Sequence, residues 1–247
     1  MRQYRAVREQ EGRILGSPEY YRRLPSVASD DPYAGEWRIR RETYHHLLQH
    51  VLAAGPQPVQ VLDLGAGTGW LSHRLSALGH AAVAVDAIDD DRDGLGATRF
   101  YPTEFAVVHA DFNALPFAPG QFDLVVFNGS LHYATDTAAT LENAYRQLAP
   151  GGVLAVMDSP MFLADRDGAA MVDDKIRHFM LDCGLYEVVR HGIGYLTFAM
   201  LAEIAEKLAL QSQFLPSHGS PSWRLRRSLA RIRLRRAPAA FGLWVAR

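Results

Sequence analysis

The chain reads as an α/β fold, a mostly parallel sheet with helices on both faces. Three observations predict it. Five short runs rich in Val, Leu and Ala recur between residues 59 and 158. Stretches with apolar residues at helical spacing separate several of them. A glycine loop, VLDLGAGTGW (61–70), opens directly from the first run. Strands alternating with helices build βαβ units, and strands buried on both faces are continuously apolar.

Each element has its own signal. VQVLDL (59–64) follows Pro58 and stops at the glycine loop, as a buried strand does. WLSHRLSAL (70–78) places Trp70, Leu71, Leu75 and Leu78 at helical spacing, with Gly79 as its stop. AAVAVD (81–86), FAVVHAD (105–111) and FDLVVFN (122–128) are the next three strands. TAATLENAYRQL (137–148) is a helix capped by Asp136 and ended by APGG, and VLAVMD (153–158) is the fifth strand. Residues 167–184 and 195–210 read as helices, 211–216 as a sixth strand and 240–247 as the closing strand. Ahead of the sheet, residues 36–52 form an amphipathic helix with Trp37, Arg40 or Arg41, and Tyr44 on one face.

Composition narrows the class. A chain of 247 residues buries roughly three quarters of its unfolded surface and needs no covalent staple. Cys183 is the sole cysteine, which rules out a disulfide framework and argues against a cysteine-held zinc. Its setting, LDCGL, reads as core packing. No stretch approaches the ~20 apolar residues of a membrane span. The charged start, MRQYRAVREQEGR, lacks a signal-peptide core, so a cytoplasmic protein is expected. The net charge of -1 conceals a partition: +3 over residues 1–41, -13 over 42–206 and +9 over 207–247, where no acid occurs. Seven arginines crowd residues 222–236. There Leu225, Leu229 and Ile232 form one helical stripe, expected to pack inward beneath a solvated basic face. The alternative is contact of segment 224–236 with an anionic carrier or a membrane surface.

The glycine loop has three candidate ligands. A triphosphate loop needs Lys and Ser or Thr after its last glycine, and neither follows Gly69. A dinucleotide fingerprint needs Gly or Ala at the sixth position from Gly65, where Trp70 stands. What remains is D-x-G-x-G-x-G, with Asp63 at the strand end. A carboxylate there repels pyrophosphate and welcomes an ammonium or a sulfonium.

At this point the chain resembles the class I S-adenosylmethionine-dependent methyltransferases, small-molecule type. The shared pattern, D-x-G-x-G-x-G, LPF, FD-x-V, LH and PGG in that order, covers about residues 59–160. The resemblance implies a Rossmann-like, seven-stranded sheet with an antiparallel last strand. It implies a helical lid over residues 1–54, a cofactor-binding core over 55–160 and a substrate side over 161–247. It also implies that Asp63 and the loop Gly65, Ala66, Gly67, Gly69 and Trp70 hold the methionine end of S-adenosylmethionine or its product S-adenosylhomocysteine. Asp86 would take both ribose hydroxyls and Asp111 the adenine amino group. Phe112 would flank the ring, Asn128 would line the methyl side, and Arg40 would pair with the methionine carboxylate.

Methyl transfer from a sulfonium is an in-line displacement governed by positioning, and a hydroxyl acceptor adds a need for a base. NGSLHY (128–133) follows the fourth strand. His132 is the candidate base, with Tyr133 and Asp158 as weaker ones. NGSL is not the motif that stacks a flipped amino base. His46 and His50 at i, i+4 lack a carboxylate between them, so no metal is expected. The leading reading is O-methylation of a small or medium-sized acceptor by a monomer or homodimer, with C- or N-methylation open. A tRNA or rRNA methyltransferase using residues 224–236, and a non-catalytic cofactor-binding module, stay open.

Overall fold

The computed structural model describes residues 17–55, 57–182, 192–220 and 234–247, together with Trp223, Leu225, Arg227 and Leu229. Cys183 and Ile232 lie outside the described residues. Helices α1 (Pro18–Arg23) and α2 (Ala34–His50) precede the first strand. Then come β1 (Gln60–Leu64), α3 (Trp70–Ala77), β2 (Ala81–Asp86), β3 (Ala106–His109), β4 (Phe122–Asn128), α4 (Thr137–Arg146) and β5 (Leu148–Met157). They are followed by β6 (Met161–Phe162), α5 (Asp165–Asp182), β7 (Leu196–Thr197), α6 (Phe198–Lys207), β8 (Ser212–Pro216) and β9 (Gly242–Ala246).

Seven strands form one sheet in the order β3-β2-β1-β4-β5-β9-β8. The first five run parallel, and β9 lies antiparallel between β5 and β8. Strand order reverses between β1 and β4, so a crevice opens outside the carboxyl ends of those two strands. Alternate residues of each strand serve opposite faces. Val61, Leu124, Val126, Ala155 and Met157 pack with Tyr44, Leu47, Trp70, Leu71 and Leu75 of α2 and α3. On the other face, Leu62, Val125, Phe127, Leu154 and Val156 pack with Leu141 and Ala144 of α4 and Leu201 and Ile204 of α6.

Most boundaries agree with the sequence reading, and the departures have local causes. Asp136 caps α4 as expected, accepting from the Ala139 N–H at 3.0 Å. The helix ends at Arg146, however, and β5 begins at Leu148 rather than 153. The APGG segment is absorbed into β5 as an irregularity: Phe122 pairs with Leu148, then the register jumps to Leu124 with Val153. Gly151, at φ +79°, makes that step. The helix expected from residue 195 begins at Phe198, because Leu196 and Thr197 pair with Met161 and Phe162 in a two-stranded sheet. Thr197 then caps α6 through the Met200 N–H at 3.1 Å.

Trp70 has a different place from the one expected. Its side chain is 3% exposed and meets Trp37 at 6.0 Å and Tyr44 at 5.9 Å between ring centres, both edge-on. The indole therefore belongs to the core that joins α2 to the sheet. The Ala66 methyl is similarly buried, against Ala84 and Leu95. Truncating a packed indole removes both transfer energy and neighbours' contacts. Trp70→Ala is expected to cost ~3–5 kcal/mol of folding free energy, measured by urea denaturation at constant m.

Candidate active site

The loop at the end of β1 is built on three left-handed glycines, Gly65 at φ +70°, Gly67 at +54° and Gly69 at +75°. That conformation is costly for side-chain-bearing residues. Two of the three are also sterically closed. A Cβ at Gly65 would lie 2.3 Å from the Ser130 Cβ, and one at Gly69 would lie 2.9 Å from the Thr98 Cγ2. Gly67 faces open space, with nothing within 4 Å of where its Cβ would be. The turn is therefore pinned at both ends and open in the middle.

Hydrogen bonds from β2 hold it. The Gly65 and Ala66 N–H groups both donate to the Val85 carbonyl, at 2.8 and 3.0 Å. The Gly67 N–H donates to Asp86 Oδ2 at 2.7 Å, and the Ile88 N–H donates to Asp86 Oδ1 at 2.9 Å. Asp86 thus ties the loop to its own strand end, and its carboxylate keeps acceptor capacity for a ligand hydroxyl. Burial raises its pKa above the usual carboxylate value, against the pull of those N–H groups. From β4, the Ser130 hydroxyl donates to the Leu64 carbonyl at 2.5 Å.

Beneath the loop, Asp63 is fully buried. Its Oδ2 accepts from the Ser72 hydroxyl at 2.8 Å, while Oδ1 has no protein partner. Burial pushes its pKa up to about 7. A buried acceptor without a donor is costly unless a ligand supplies one.

Around the crevice the other candidates fall into separate places. Asp111 is exposed and engaged locally, its Oδ1 accepting from the Asn113 N–H at 2.8 Å and the Asn113 side-chain amide at 2.9 Å. Phe112 stands edge-on to Phe127 at 5.9 Å. The Asn128 Oδ1 is buried and unpartnered. His132 Nδ1 lies 3.2 Å from the Ser159 hydroxyl, and its ring lies 4.1 Å from that of Tyr133, which is 38% exposed. Desolvation, with Lys175 and Arg40 adding repulsion, lowers the His132 pKa to about 3. The imidazole is thus a much weaker base than the ordinary value near 6.5 implies.

Asp158 shows more perturbation than the sequence suggested. It sits one residue past β5 at φ +51° and is 7% exposed. Its Oδ1 accepts from the Thr43 hydroxyl at 2.6 Å, and its Oδ2 is unpartnered. Thr43 also lies 2.9 Å from the Ser217 hydroxyl, so α2, β5 and the end of β8 share one buried polar cluster. Burial pushes the Asp158 pKa up to about 6, against the opposing field of Arg40. Arg40 itself lies 4.9 Å over the Trp37 ring. Sequence reasoning missed Thr43, Ser130, Ser159 and Ser217, because single hydroxyls carry no periodic or motif signal. Among the described residues no group of three or more His, Cys, Asp or Glu side chains is placed to hold a metal ion.

Comparison with known proteins fits this geometry. Residues 62–156 match the family model described as a methyltransferase domain. A malonyl-[acyl-carrier protein] O-methyltransferase of Halorhodospira halophila is 30% identical over 233 residues, covering 87% of this chain and 77% of that protein. The chain belongs to the class I S-adenosylmethionine-dependent methyltransferases. A protein of the same name from Geobacter sulfurreducens is 33% identical over 136 residues, 52% of this methyltransferase but only 48% of the relative's length. The fold matches that of magnesium protoporphyrin IX methyltransferase from Synechocystis, with TM-score 0.59 at 17% identity, covering 97% and 98% of the two chains.

The buried carboxylates make stability depend on pH. Asp63 is ionised in the unfolded chain above its ordinary pKa of 3.8, but in the fold it keeps its proton up to about 7. The native state binds the extra proton, so stability declines as pH rises from about 4 to about 7 and stays low above that. Asp63→Asn is expected to raise the thermal midpoint at pH ~8 and to change it little at pH ~4, as calorimetry at the two values would show.

Proposed function

We propose that the chain transfers a methyl group from S-adenosylmethionine to an oxygen of a small or medium-sized acceptor. The observation that carries the cofactor assignment is the turn over Asp63: a glycine at an open position, flanked by two closed ones, above a buried carboxylate oxygen that lacks a donor. The cofactor's ammonium would supply that donor, and its sulfonium would gain from the nearby negative charge. When bound, the cofactor supplies an electrophilic methyl group. Gly65, Gly67 and Asp63 would hold its methionine end with the backbone of Ala66, Gly69 and Trp70. Asp86 would take the ribose hydroxyls. Asp111 and Phe112 would receive the adenine, and Asn128 would line the methyl side.

The relatives named O-methyltransferases favour oxygen as the methylated atom. A carboxyl oxygen suits the site best. It arrives ionised at neutral pH and needs no base, and His132 is too weakly basic to serve an alcohol well. His132 and Tyr133 then shape the acceptor side, with Asp158 and Arg40 as charged groups beside them. Arg40 was expected at the methionine carboxylate. Its charge also acts on Asp158 and His132, and in this reading it would serve either the methionine or the acceptor carboxylate.

Titration calorimetry tests the cofactor. S-adenosylhomocysteine should bind with a Kd of ~1 μM, about -8 kcal/mol, while NAD and ATP should not bind at comparable concentrations. Asp86→Ala should weaken that affinity by ~2–4 kcal/mol, through two unpaired ribose hydroxyls and a loosened Gly67. Tighter binding of NAD would overturn the reading. For the acceptor, a screen with labelled cofactor should find a methyl ester as product. His132→Gln should then lower kcat by less than about tenfold, whereas loss of a general base would cost ~10²–10⁴-fold.

A further inference from the structure

The basic segment near the C-terminal strand is turned the opposite way from its sequence expectation. Trp223, Leu225, Arg227, Leu229 and Leu234 are helical. Arg227 turns toward the body: its guanidinium donates to the Ala239 carbonyl and lies 4.3 Å over the Trp223 ring. Residues two apart on a helix point about 200° from each other, so the 225/229 pair faces away from the 223/227 pair. Leu225 is 63% exposed, Leu229 57% and Leu234 46%. Leu225 and Leu229 face solvent, within a segment that carries seven arginines and, across residues 207–247, no acid.

A second feature adjoins it. A cavity of about 350 Å³ lies between the start of α5 and the residues just past Leu234, lined by Arg166, Asp167, Ala170, Arg235, Arg236 and Ala237. Arg236 is held by Asp174 at 3.0 Å, which leaves the pocket with the charges of Arg166 and Arg235 against Asp167. Nearby, Leu163 is 85% exposed, two residues beyond Met161, which bridges Ala240 on the same side. Isolated exposed leucines are ordinary. Leu225 and Leu229 on one helical face, in a segment whose sequence is basic, with Leu163 and Leu234 close in the chain to the residues of an arginine-lined cavity, mark an interaction surface.

We propose that this face docks the protein on an anionic phospholipid bilayer, with Leu225 and Leu229 entering the headgroup–acyl boundary and the Arg166–Arg235 cavity taking a lipid phosphate. Charge and apolar surface together select this partner. A nucleic acid would pair with the arginines and leave the leucines in water. A bilayer of anionic lipid satisfies both at once, as it does for other basic amphipathic helices. The proposal stands apart from the methyl-transfer reading, because it uses none of the residues around the glycine loop.

Co-sedimentation of the full chain with vesicles tests it. Binding to phosphatidylcholine–phosphatidylglycerol vesicles should exceed binding to phosphatidylcholine alone by at least about tenfold at ~0.1 M salt, and should fall steeply by ~0.5 M. Leu225→Ser/Leu229→Ser should lose most of the binding at low salt, and so should Arg166→Glu/Arg235→Glu. Unchanged unfolding midpoints would show that both variants remain folded, as expected for exposed positions. Equal binding to the two vesicle types overturns the proposal, as does wild-type binding by the folded leucine variant. Absence of vesicle binding with salt-sensitive capture of polyuridylate RNA or of an acidic carrier protein also overturns it.

Discussion

The turn that leaves β1 governs the rest of the site. Two consecutive N–H groups converge on one carbonyl of β2, and the next available one is taken by Asp86 at the end of that same strand. Ser130 presses on Gly65 from β4. Three adjacent strands thus determine where the open Gly67 position lies, to within the tolerance of a hydrogen bond. The carboxylates gather at this crevice because it is where strand order reverses and where the sheet has no helix to cover its edge.

Burying Asp63, Asp86 and Asp158 at the carboxyl ends of β1, β2 and β5 works against folding, since desolvation raises the pKa of all three. Two of them keep an oxygen without a protein donor. Local rules of a stable fold are broken here, and such departures concentrate where proteins bind ligands. The left-handed backbone of Asp158 belongs to the same pattern, because a side chain in that conformation persists only when its surroundings enforce it.

Much of this was legible beforehand. Strand β2 and strand β4 coincide with their predicted runs residue for residue, because each has a continuous apolar centre, Ala82–Val85 and Leu124–Phe127, closed by a polar residue at its carboxyl end. Asp63 and the glycines drew notice by their place at a strand terminus, and Asp86 by the family resemblance. What stayed hidden depends on distant contacts. Leu196 and Thr197 read as the start of a helix until Met161 and Phe162 arrive beside them. Trp70 looked like part of the ligand loop, since nothing local announces that Trp37 and Tyr44 will enclose it. The basicity of His132 is likewise a property of its enclosure. The leucines of the arginine-rich segment followed a helical period correctly, but period alone does not say which side is inward.

The placement of β9 also bears on how the molecule is made. It is the last strand in the sheet to be synthesised, yet it sits between β5 and β8, which reach each other only through it. While a ribosome still holds residues 242–246, β8 has no bonded neighbour, and the β5 edge stands uncovered. The five parallel strands can pair before residues 242–246 arrive, but the sheet closes only with β9. Any nascent chain stalled short of that point exposes an open edge that another chain could pair with.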